Sequence, residues 1–367
     1  MPRVCLLSIT ASHYRKLIYQ LLDKNFDCRF IFGKDDTTVK RLDTSIFRDS
    51  IDVENKYIAG TDFYYQPGVI KKTSGCDVII SDLGIFCLSS WMLLLISKLR
   101  RQKVYLWDHG WYGREGFIKK WLKRLYFSLA SGAFIYGNRA YQLMGKNGFD
   151  LDKLHVIHNS LDYDKQLEFR RGMQKSDIYK KYFNNNAPVI CFIGRLTRVK
   201  RLDLIIDALS IIKNKGRQMN LVIVGTGEIQ DEIVHHAKAL GVYEWVWFYG
   251  ESYDEEANAE LLYNADICVS PGNVGLTAMH SMMYGCPVIT HNEYAFQMPE
   301  FEAIKEGETG SFFKYGDSDS LADCVLDWME KNAERRQAVR EACFAEIDSE
   351  WNPHRQIKLI KQVVGNM

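Results

Sequence analysis

The chain has 367 residues, of which 47% are hydrophobic and 25% charged, and its net charge at pH 7 is +1. This composition is ordinary for a globular protein, and the length predicts two domains. Nine cysteines are scattered along the chain without a C-x-x-C pair or a His/Cys cluster at zinc spacing. Their pattern argues against a disulfide framework and against a zinc site.

The N-terminal sequence MPRVCLLSIT enters a strand-like run without a basic leader, an apolar core and a small-residue cleavage site. We therefore expect no secretory signal and a cytoplasmic location. The longest apolar tract, residues 83–97, is interrupted by serines and a glycine. It is shorter than the roughly 20 residues that a spanning helix needs, so a buried helix is predicted there.

Apolar runs of strand length alternate with helical patterns along the first half of the chain. Strands are predicted at residues 4–9, 28–33, 77–81, 103–107, 133–137 and 154–157. Helical patterns lie between them, at about residues 14–22 and in the tract 83–97. This alternation is typical of a doubly wound parallel sheet.

The second half repeats the alternation. Strands are predicted at residues 189–193, 221–224, 245–249, 266–270 and 286–290, and helices at 202–213, 231–240 and 255–263. A polar run separates the two halves. We predict an N-terminal Rossmann-like domain at 1–165, a linker at 166–186, a second Rossmann-like domain at 187–345, and a C-terminal helix at 346–367 that packs back on the first domain.

Charge is distributed unevenly between the halves. Residues 1–165 contain 25 Lys and Arg against 17 Asp and Glu, a net +8, whereas residues 166–367 contain 22 against 29, a net −7. The cations gather at residues 98–103 and 119–127, where they alternate with large apolar side chains. This pattern suits an anionic membrane surface. An ordinary amphipathic helix with Trp121, Leu122 and Leu125 packed inward is the alternative, which the sequence slightly favours.

Nucleic acid is not expected as a partner. The basic clusters are short, and the sequence contains no helix-turn-helix, zinc-finger or RNA-binding signature.

A basic turn follows the strand at 189–193, beginning at Gly194 and containing Arg195 and Lys200. Ligands of open α/β sheets bind at the carboxyl ends of the strands. Arg195 could hold a phosphate group with its fork of donors, and Lys200 as a point charge. A solvated basic loop explains the same residues equally well.

Two further turns lie at strand ends. The G-T-G-E turn contains Gly225 and Gly227, where backbone can approach a ligand closely. The segment PGNVGL at residues 271–276 opens a helix with small residues. The N–H groups of its first turn form an anion site at the positive end of the helix dipole.

Five motifs, in this order and spacing, carry a family resemblance: GRLTRVK, LVIVGTGE, ADICVSP, VGLTAMHSMMYGCPVI and EGETG. They resemble the retaining glycosyltransferases of family four, which have GT-B architecture. The resemblance covers residues 189–313 well, and residues 155–162 match the family's segment before the second domain. The first domain is only loosely similar, since residues 10–13, TASH, replace a Gly-Gly turn. The acceptor is therefore the least transferable part.

The resemblance implies two Rossmann-like domains facing across a cleft, with a nucleotide sugar held mainly by the second. Arg195 and Lys200 match the family's diphosphate-binding pair. His109 matches a first-domain histidine that points at the donor sugar. The remaining donor-side positions are the strand-end glycines and the N–H groups that open the helix: Gly194, Gly225, Gly227, Asn273, Val274, Gly275 and Leu276.

The sequence departs from the family at two acidic positions. Family members usually carry Glu where this chain has Gly272 and His280, one contacting the donor sugar and one the ribose. His280 can still hydrogen-bond a ribose hydroxyl. A side chain of the segment after the last strong strand could replace the sugar contact, although solvated surface residues are the alternative for each of them: Glu293, Gln297, Glu300 and Glu302.

The resemblance implies retaining transfer from a nucleotide-diphosphate sugar to a glycan or lipid-linked acceptor, in surface polysaccharide biosynthesis. The departing diphosphate would take the acceptor's proton, and the enzyme would stabilise its charge. No metal or other cofactor is expected, because the D-x-D string at Asp317 lies away from the predicted diphosphate site.

Two alternatives to an active transferase remain. An inactive relative that binds or regulates a partner transferase is favoured by the missing acids. Another GT-B enzyme, such as a nucleotide-sugar epimerase, would need an acid/base set, and none with the right signature is found.

Overall fold

Two parallel sheets organise the chain, one in each of two units. The computed structural model describes residues 2–34 and 40–365. The first unit comprises Met1–Asp162 and Asn352–Met367, and the second comprises Tyr163–Trp351. This is the parallel-sheet α/β class that the alternating pattern predicts.

The strands of the first unit are β1 (Arg3–Ser8), β2 (Asp27–Lys34), β3 (Ser50–Glu54), β4 (Lys56–Tyr57), β5 (Tyr64–Tyr65), β6 (Val78–Ser81), β7 (Lys103–Asp108), β8 (Gly132–Ile135) and β9 (Leu154–Val156). Its helices are α1 (Lys16–Asn25), α2 (Val69–Lys72), α3 (Leu88–Leu99), α4 (Phe117–Leu129) and α5 (Asn138–Lys146). The parallel sheet has the order β3-β2-β1-β6-β7-β8-β9, and β4 pairs with β5 as a separate antiparallel hairpin. The chain therefore adds β2 and β3 on one side of β1 and β6 to β9 on the other, so the topological switch point of this sheet lies between β1 and β6.

Helices cover both faces of this sheet. The β4–β5 hairpin and helices α2, α3, α4 and α5 contribute to the apolar core on one face. Helix α1 packs on the other face, together with the C-terminal helix, which includes Ile357, Ile360 and Val364. Burial on both faces explains why β1, β6 and β8 are continuous apolar runs.

The strands of the second unit are β10 (Val189–Ile193), β11 (Asn220–Val224), β12 (Val246–Gly250), β13 (Ile267–Val269), β14 (Val288–His291) and β15 (Gly310–Phe313). Its helices are α6 (Tyr163–Gly172), α7 (Ile178–Phe183), α8 (Leu202–Asn214), α9 (Gln230–Ala239), α10 (Glu255–Asn264), α11 (Leu276–Met283), α12 (Ser318–Asn332) and α13 (Arg336–Ser349). The sheet is parallel, with the order β12-β11-β10-β13-β14-β15. The chain adds β11 and β12 on one side of β10 and β13 to β15 on the other, so the topological switch point of this sheet lies between β10 and β13.

The segment predicted as a linker, residues 166–186, contains most of α6 and all of α7 and lies within the second unit. The last helix, α14 (Pro353–Gly365), belongs to the first unit and packs against α1. Asp317 caps α12, since its carboxylate accepts a hydrogen bond from the N–H of Ser320 at 3.0 Å.

Across the described residues, no helix is both long and apolar enough to span a bilayer. The apolar tract at 83–97 contributes to α3, which buries one face and leaves large apolar side chains on the other.

Candidate functional site

The loops after β10 and β13 meet at the topological switch point of the sheet in the second unit. Lys200, at the end of the first loop, donates to the carbonyl oxygen of Asn273 at 2.6 Å and to its side-chain oxygen at 2.9 Å. The N–H of Gly272 returns a hydrogen bond of 3.0 Å to the carbonyl of Lys200. These are the two loops that flank the expected ligand crevice of a doubly wound sheet.

The surroundings of Lys200 disfavour the protonated, positively charged form of its amine. Burial lowers its pKa to about 8, with the nearby guanidinium of Arg195 acting in the same direction and the carboxylate of Glu300 opposing it. Arg195 itself is exposed, whereas Lys200 is half-buried. The structure therefore brings two predicted cations and one predicted acid to one place in the second unit.

The strand-end glycines allow the loops to pack directly on one another. A Cβ on Gly225 would collide with the carbonyl oxygen of Gly194, and one on Gly227 would collide with that of Leu196. The N–H of Leu196 also donates to the carbonyl of Thr226 at 2.9 Å. In this structure, these glycines therefore hold the loops after β10 and β11 together.

Gly272 lies at another backbone crossing. A Cβ built on it would collide with the carbonyl oxygen of Val199 and lie 2.7 Å from Cα of Lys200. Both obstacles are backbone atoms, which cannot rotate away. A Glu, which the family resemblance leads us to expect at this position, is therefore incompatible with the loop path of this chain.

Helix α11 begins directly after this crossing. Gly275 is its N-cap residue with φ 53°, and Thr277 in the first turn bonds the carbonyl of Ile193 through its hydroxyl at 3.0 Å. Backbone N–H groups in a first helical turn have no intrahelical acceptor, so those of Leu276 and its neighbours are suited to an anion. The N–H of Val274, in contrast, donates to Gln297 Oε1 at 2.9 Å.

Gln297 is a fully buried link between the site loops. Its Nε2 donates to Thr290 Oγ1 at 2.7 Å and to the carbonyl of His291 at 3.1 Å. Thr290 Oγ1 in turn donates to the carbonyl of Ser270 at 2.8 Å. Both ends of the Gln297 amide thus contact protein, and they fix the loop after β13 to the end of β14.

The acids after β14 occupy different environments. Glu300 is buried in the short helical turn Pro299–Ala303, Glu302 is half-buried in the same turn, and Glu293 is exposed. Of these three, Glu300 contributes to the charge balance at Lys200.

His280 contacts an acid that sequence reasoning did not single out. Its Nε2 lies 2.9 Å from Oε1 of Glu255, the first residue of α10. The same oxygen accepts from Tyr284 Oη at 2.6 Å and from Gln166 Nε2 at 2.9 Å. Burial opposes ionisation of Glu255, but the imidazole of His280 and these donors lower its pKa to about 2. A carboxylate is therefore present beside position 280, although it comes from another helix.

In the first unit, His109 lies in the loop after β7. Its ring is half-buried, stacks near Tyr112 and meets the ring of Tyr136 edge-on, with centroids 4.9 Å apart. The carboxylate of Asp108 accepts the N–H of Gly110 at 2.7 Å, which begins the tight turn that carries the histidine.

A buried ion pair holds this loop. Glu115 accepts the N–H groups of Tyr112 and Gly113 at 2.9 Å each, and Lys123 Nζ lies 3.3 Å from its carboxylate. Lys123 also donates to the carbonyl of Gly110 at 2.7 Å. Burial would raise the pKa of Glu115, but the backbone N–H donors and Lys123 lower it below its ordinary value. Lys123 therefore points inward, away from the basic surface predicted for its helix.

A second buried ion pair lies at the topological switch point of the first sheet, between the ends of β1 and β6. Arg15 Nη1 bonds Asp82 Oδ2 at 2.7 Å, and the same carboxylate accepts Ser8 Oγ at 2.8 Å and the N–H of Ile9 at 3.0 Å. The guanidinium also contacts the hydroxyl of Tyr136. Sequence reasoning missed Arg15, Asp82, Glu115 and Glu255 because each partner is distant along the chain or carries no motif.

A family model described as glycosyl transferases group 1 matches residues 174–343. This segment is a group 1 glycosyltransferase domain. It includes the Lys200–Asn273 contact, α11 and the Glu255–His280 pair. The resemblance inferred from the five motifs is confirmed for this part of the chain.

Curated relatives match somewhat less than half of the chain. A phosphatidyl-myo-inositol mannosyltransferase of Mycobacterium leprae is 26% identical over 168 residues, which are 44% of this chain and 43% of that protein. An uncharacterized glycosyltransferase of Methanocaldococcus jannaschii is 29% identical over 193 residues, 48% of this chain and 46% of that protein. The alignments thus span somewhat less than half the length of these relatives.

Solved structures match the whole chain. The Anabaena protein Alr3699/HepE in complex with UDP has a TM-score of 0.76 at 17% identity, with full coverage of both chains. Its complex with UDP-glucose has a TM-score of 0.73 at 16% identity, also with full coverage. At this identity the likeness establishes the fold, and it confirms the predicted GT-B class with two Rossmann-like parallel-sheet domains.

Proposed function

We propose that the protein is a glycosyltransferase that moves a sugar from a nucleotide-diphosphate sugar to a glycan or lipid-linked saccharide acceptor. The observation that carries this proposal is that the two predicted cations lie close together at the topological switch point of the second sheet. Lys200 is held against Asn273, Arg195 is close enough to depress its pKa, and α11 begins directly beyond. Two cations and a helix N-terminus are complementary to a diphosphate.

We propose that Arg195, Lys200 and the N–H groups at residues 273, 275 and 276 bind the diphosphate. Gly194, Gly225 and Gly227 keep the loops tightly packed beside the nucleotide. Since the N–H of Val274 donates to Gln297, both residues are proposed to position the loop. The UDP and UDP-glucose complexes of the structurally similar Anabaena protein support a nucleotide sugar as the donor.

We propose that Glu255 and His280 together face the ribose. Gln166, His280 and Tyr284 all contact Oε1 of the carboxylate, and Oε2 is proposed to accept a hydrogen bond from a ribose hydroxyl. Glu300 or Glu302 is proposed to contact the donor sugar in place of the acid that Gly272 excludes. His109 is proposed to contact the same sugar, on the basis of the family resemblance.

The chemistry proposed is transfer with retention of configuration. The acceptor hydroxyl oxygen forms a bond to the anomeric carbon while the bond from that carbon to the diphosphate oxygen breaks. The hydroxyl proton passes to the departing diphosphate on the same face of the sugar. Arg195, Lys200 and the start of α11 stabilise the charge that develops there, which requires neither a metal nor another cofactor.

We further propose a role in surface polysaccharide biosynthesis, in the cytoplasm at the inner face of the cell membrane. The basic first half of the chain supports contact with an anionic membrane.

The test is a thermal-shift and calorimetric screen against UDP-, GDP- and dTDP-sugars and the bare nucleotides. A ligand that binds only the folded protein raises its stability with ln(1 + [L]/Kd), so selective stabilisation would identify base and sugar together. Absence of stabilisation by any of them would contradict the proposal.

A catalytically inactive subunit that binds or regulates a partner transferase is the second candidate. The specific observation in its favour is that Gly272 cannot carry the usual acid. Nucleotide-sugar binding without hydrolysis or transfer to any acceptor would favour this candidate.

A further inference from the structure

Helices α3 and α4 of the first unit carry large apolar side chains on their outer faces. On α3 these residues recur at intervals of three or four, which places them along one side of the helix: Leu88, Met92, Leu95 and Leu99. On α4 the corresponding residues are Phe117, Ile118, Trp121 and Leu125. Leu99 and Phe117 are 86% and 85% exposed, so the rest of the protein leaves them almost entirely in water.

The inner face of α3 makes this outer stripe unusual. Together with Leu93 and Leu94, the helix buries three serines, Ser89, Ser90 and Ser97. Ser90 Oγ bonds the carbonyl of Cys87 at 2.7 Å, and Ser89 Oγ bonds that of Gln66 at 3.1 Å. A surface helix in water normally turns its polar residues outward and its leucines inward. The outer face of α3 is thus more apolar than its packing requires.

The β4–β5 hairpin extends the same surface. It lies next to α3, and the N–H of Tyr64 bonds the carbonyl of Phe86 at 3.1 Å. Its exposed side chains are Tyr57, Ile58, Phe63 and Tyr65. Among the described residues, twenty large hydrophobic side chains are exposed, and twelve of them lie on α3, α4 and this hairpin. We call this surface the α3–α4 face.

The α3–α4 face is also free of acidic residues along both helices. The sequence contains no Asp or Glu at residues 83–107 or 116–149. Exposed cations lie in the last turn of α3, directly after it and on α4, where they flank the apolar stripes: Lys98, Arg100, Arg101, Lys119 and Arg124. Along the two helices, exposed aromatic and aliphatic side chains bordered by cations, without acids, match an anionic lipid surface in both respects, whereas the hairpin carries one exposed acid, Asp62.

We infer that the α3–α4 face docks on an anionic phospholipid bilayer, with its apolar side chains inserted among the headgroups and its cations at the lipid phosphates. The prediction that Trp121 and Leu125 pack inward is wrong, since they are 59% and 40% exposed. Lys123 takes the inward position instead, because it pairs with Glu115. Only the link to the acceptor rests on the proposed function: a face docked on lipid keeps the chain at the surface where a lipid-linked acceptor would lie.

The experiment is co-sedimentation of the full chain with vesicles of phosphatidylcholine alone and of phosphatidylcholine with phosphatidylglycerol. We expect the anionic vesicles to bind the protein, and binding to weaken as salt is raised. The double variant Phe117→Ser/Ile118→Ser should lower the partition coefficient about tenfold or more, since two nearly fully exposed apolar side chains are removed. Lys119→Gln/Arg124→Gln should lower it for anionic vesicles only.

Ile46→Ser is the matched control, because Ile46 is 45% exposed in the same unit but outside the α3–α4 face. It should bind vesicles as the parent chain does. Failure of the parent chain to sediment with anionic vesicles at low salt would overturn the inference, as would unchanged binding by the Phe117→Ser/Ile118→Ser variant. A dimer in solution that the same variant dissociates, without vesicle binding, would instead assign the face to a second copy.

Vesicle binding needs no nucleotide, and nucleotide-sugar binding needs no vesicle. A protein that binds vesicles but no nucleotide sugar would contradict the proposed function and leave the membrane face standing. A protein that binds a nucleotide sugar but no vesicle would do the reverse.

Discussion

Lys200 Nζ donates to both oxygens of Asn273, at 2.6 Å and 2.9 Å, and so joins the loop after β10 to the loop after β13. The amine is held by the protein before any ligand arrives. Burial, and then Arg195, lowers its pKa to about 8 and so disfavours the protonated amine. A bound anion would favour the protonated form again and raise the pKa.

Removing either cation should slow transfer strongly with little effect on folding. In Arg195→Ala or Lys200→Ala, we expect the rate of transfer to fall by about 10²–10³-fold, as for loss of a preorganised charge-stabilising donor. Arg198→Ala is the matched control, since Arg198 lies on the same loop but pairs with Glu232 at the surface. Turnover should be measured with the donor found by the nucleotide screen, and unchanged turnover in both variants would remove the site assignment.

Nucleotide binding should take up a proton in mildly alkaline solution. With a pKa of about 8, Lys200 is mostly neutral at pH 9 in the protein without nucleotide. A bound diphosphate should raise this pKa toward the ordinary value of 10.5. Calorimetry in buffers of different ionisation enthalpy should therefore show uptake of roughly one proton at pH 9 and almost none at pH 6.5. In Lys200→Arg the side chain stays charged, so the pH 9 uptake should disappear. Equal uptake in both proteins would show that another group titrates.

Gly272 should tolerate no side chain. Gly272→Ala places a methyl group against the backbone of Val199 and Lys200, and we expect the free energy of unfolding to fall by about 1–3 kcal/mol or more. Nucleotide affinity should fall as well, because Lys200 must move. Gly172→Ala is a suitable control, since its Cβ meets nothing within 4 Å. A Gly272→Glu protein that folds normally and transfers faster would contradict this reading of the loop.

Glu255 should matter for the nucleoside and not for the diphosphate. With a pKa of about 2 it is ionised at any pH above about 4, so its carboxylate can accept ribose hydroxyls throughout the physiological range. We expect Glu255→Gln to weaken binding of the preferred nucleoside diphosphate by about 1–3 kcal/mol, the cost of losing a charged hydrogen-bond acceptor. Binding of inorganic diphosphate, measured in parallel, should change little. Equal losses for both ligands would indicate that Glu255 acts only by supporting the fold.

The pair Glu115 and Lys123 should hold the His109 loop. Lys123→Met leaves a buried carboxylate without its cation, and we expect a loss of about 3 kcal/mol in unfolding free energy, measured by urea denaturation. Lys119→Met, at an exposed position of the same helix, should change stability by less than about 0.5 kcal/mol. The double variant Glu115→Gln/Lys123→Met should recover part of the loss, and similar values for the two lysine variants would contradict the pairing.

The GT-B class followed from the resemblance of the motifs, and the strands β3, β4, β5 and β15 were not predicted. Local patterns in the sequence did predict the other eleven described strands, their alternation with helices, and the cations at the end of β10. These features are local: continuous apolar runs, helical periodicity and a basic turn are each readable within a short stretch. The motifs GRLTRVK and VGLTAMHSMMYGCPVI also sufficed to place the group 1 domain.

Which side chains meet became visible in the folded chain alone. The contact of Lys200 with Asn273, the backbone crossing at Gly272 and the pairing of His280 with Glu255 join residues that are far apart in the sequence. Periodicity likewise predicted an amphipathic α4 but placed Trp121 inside, whereas the ion pair with Glu115 turns Lys123 inward and leaves Trp121 exposed. A pattern of residue types indicates that an element is amphipathic, but which side is buried, and against which partner, depends on how distant segments pack together.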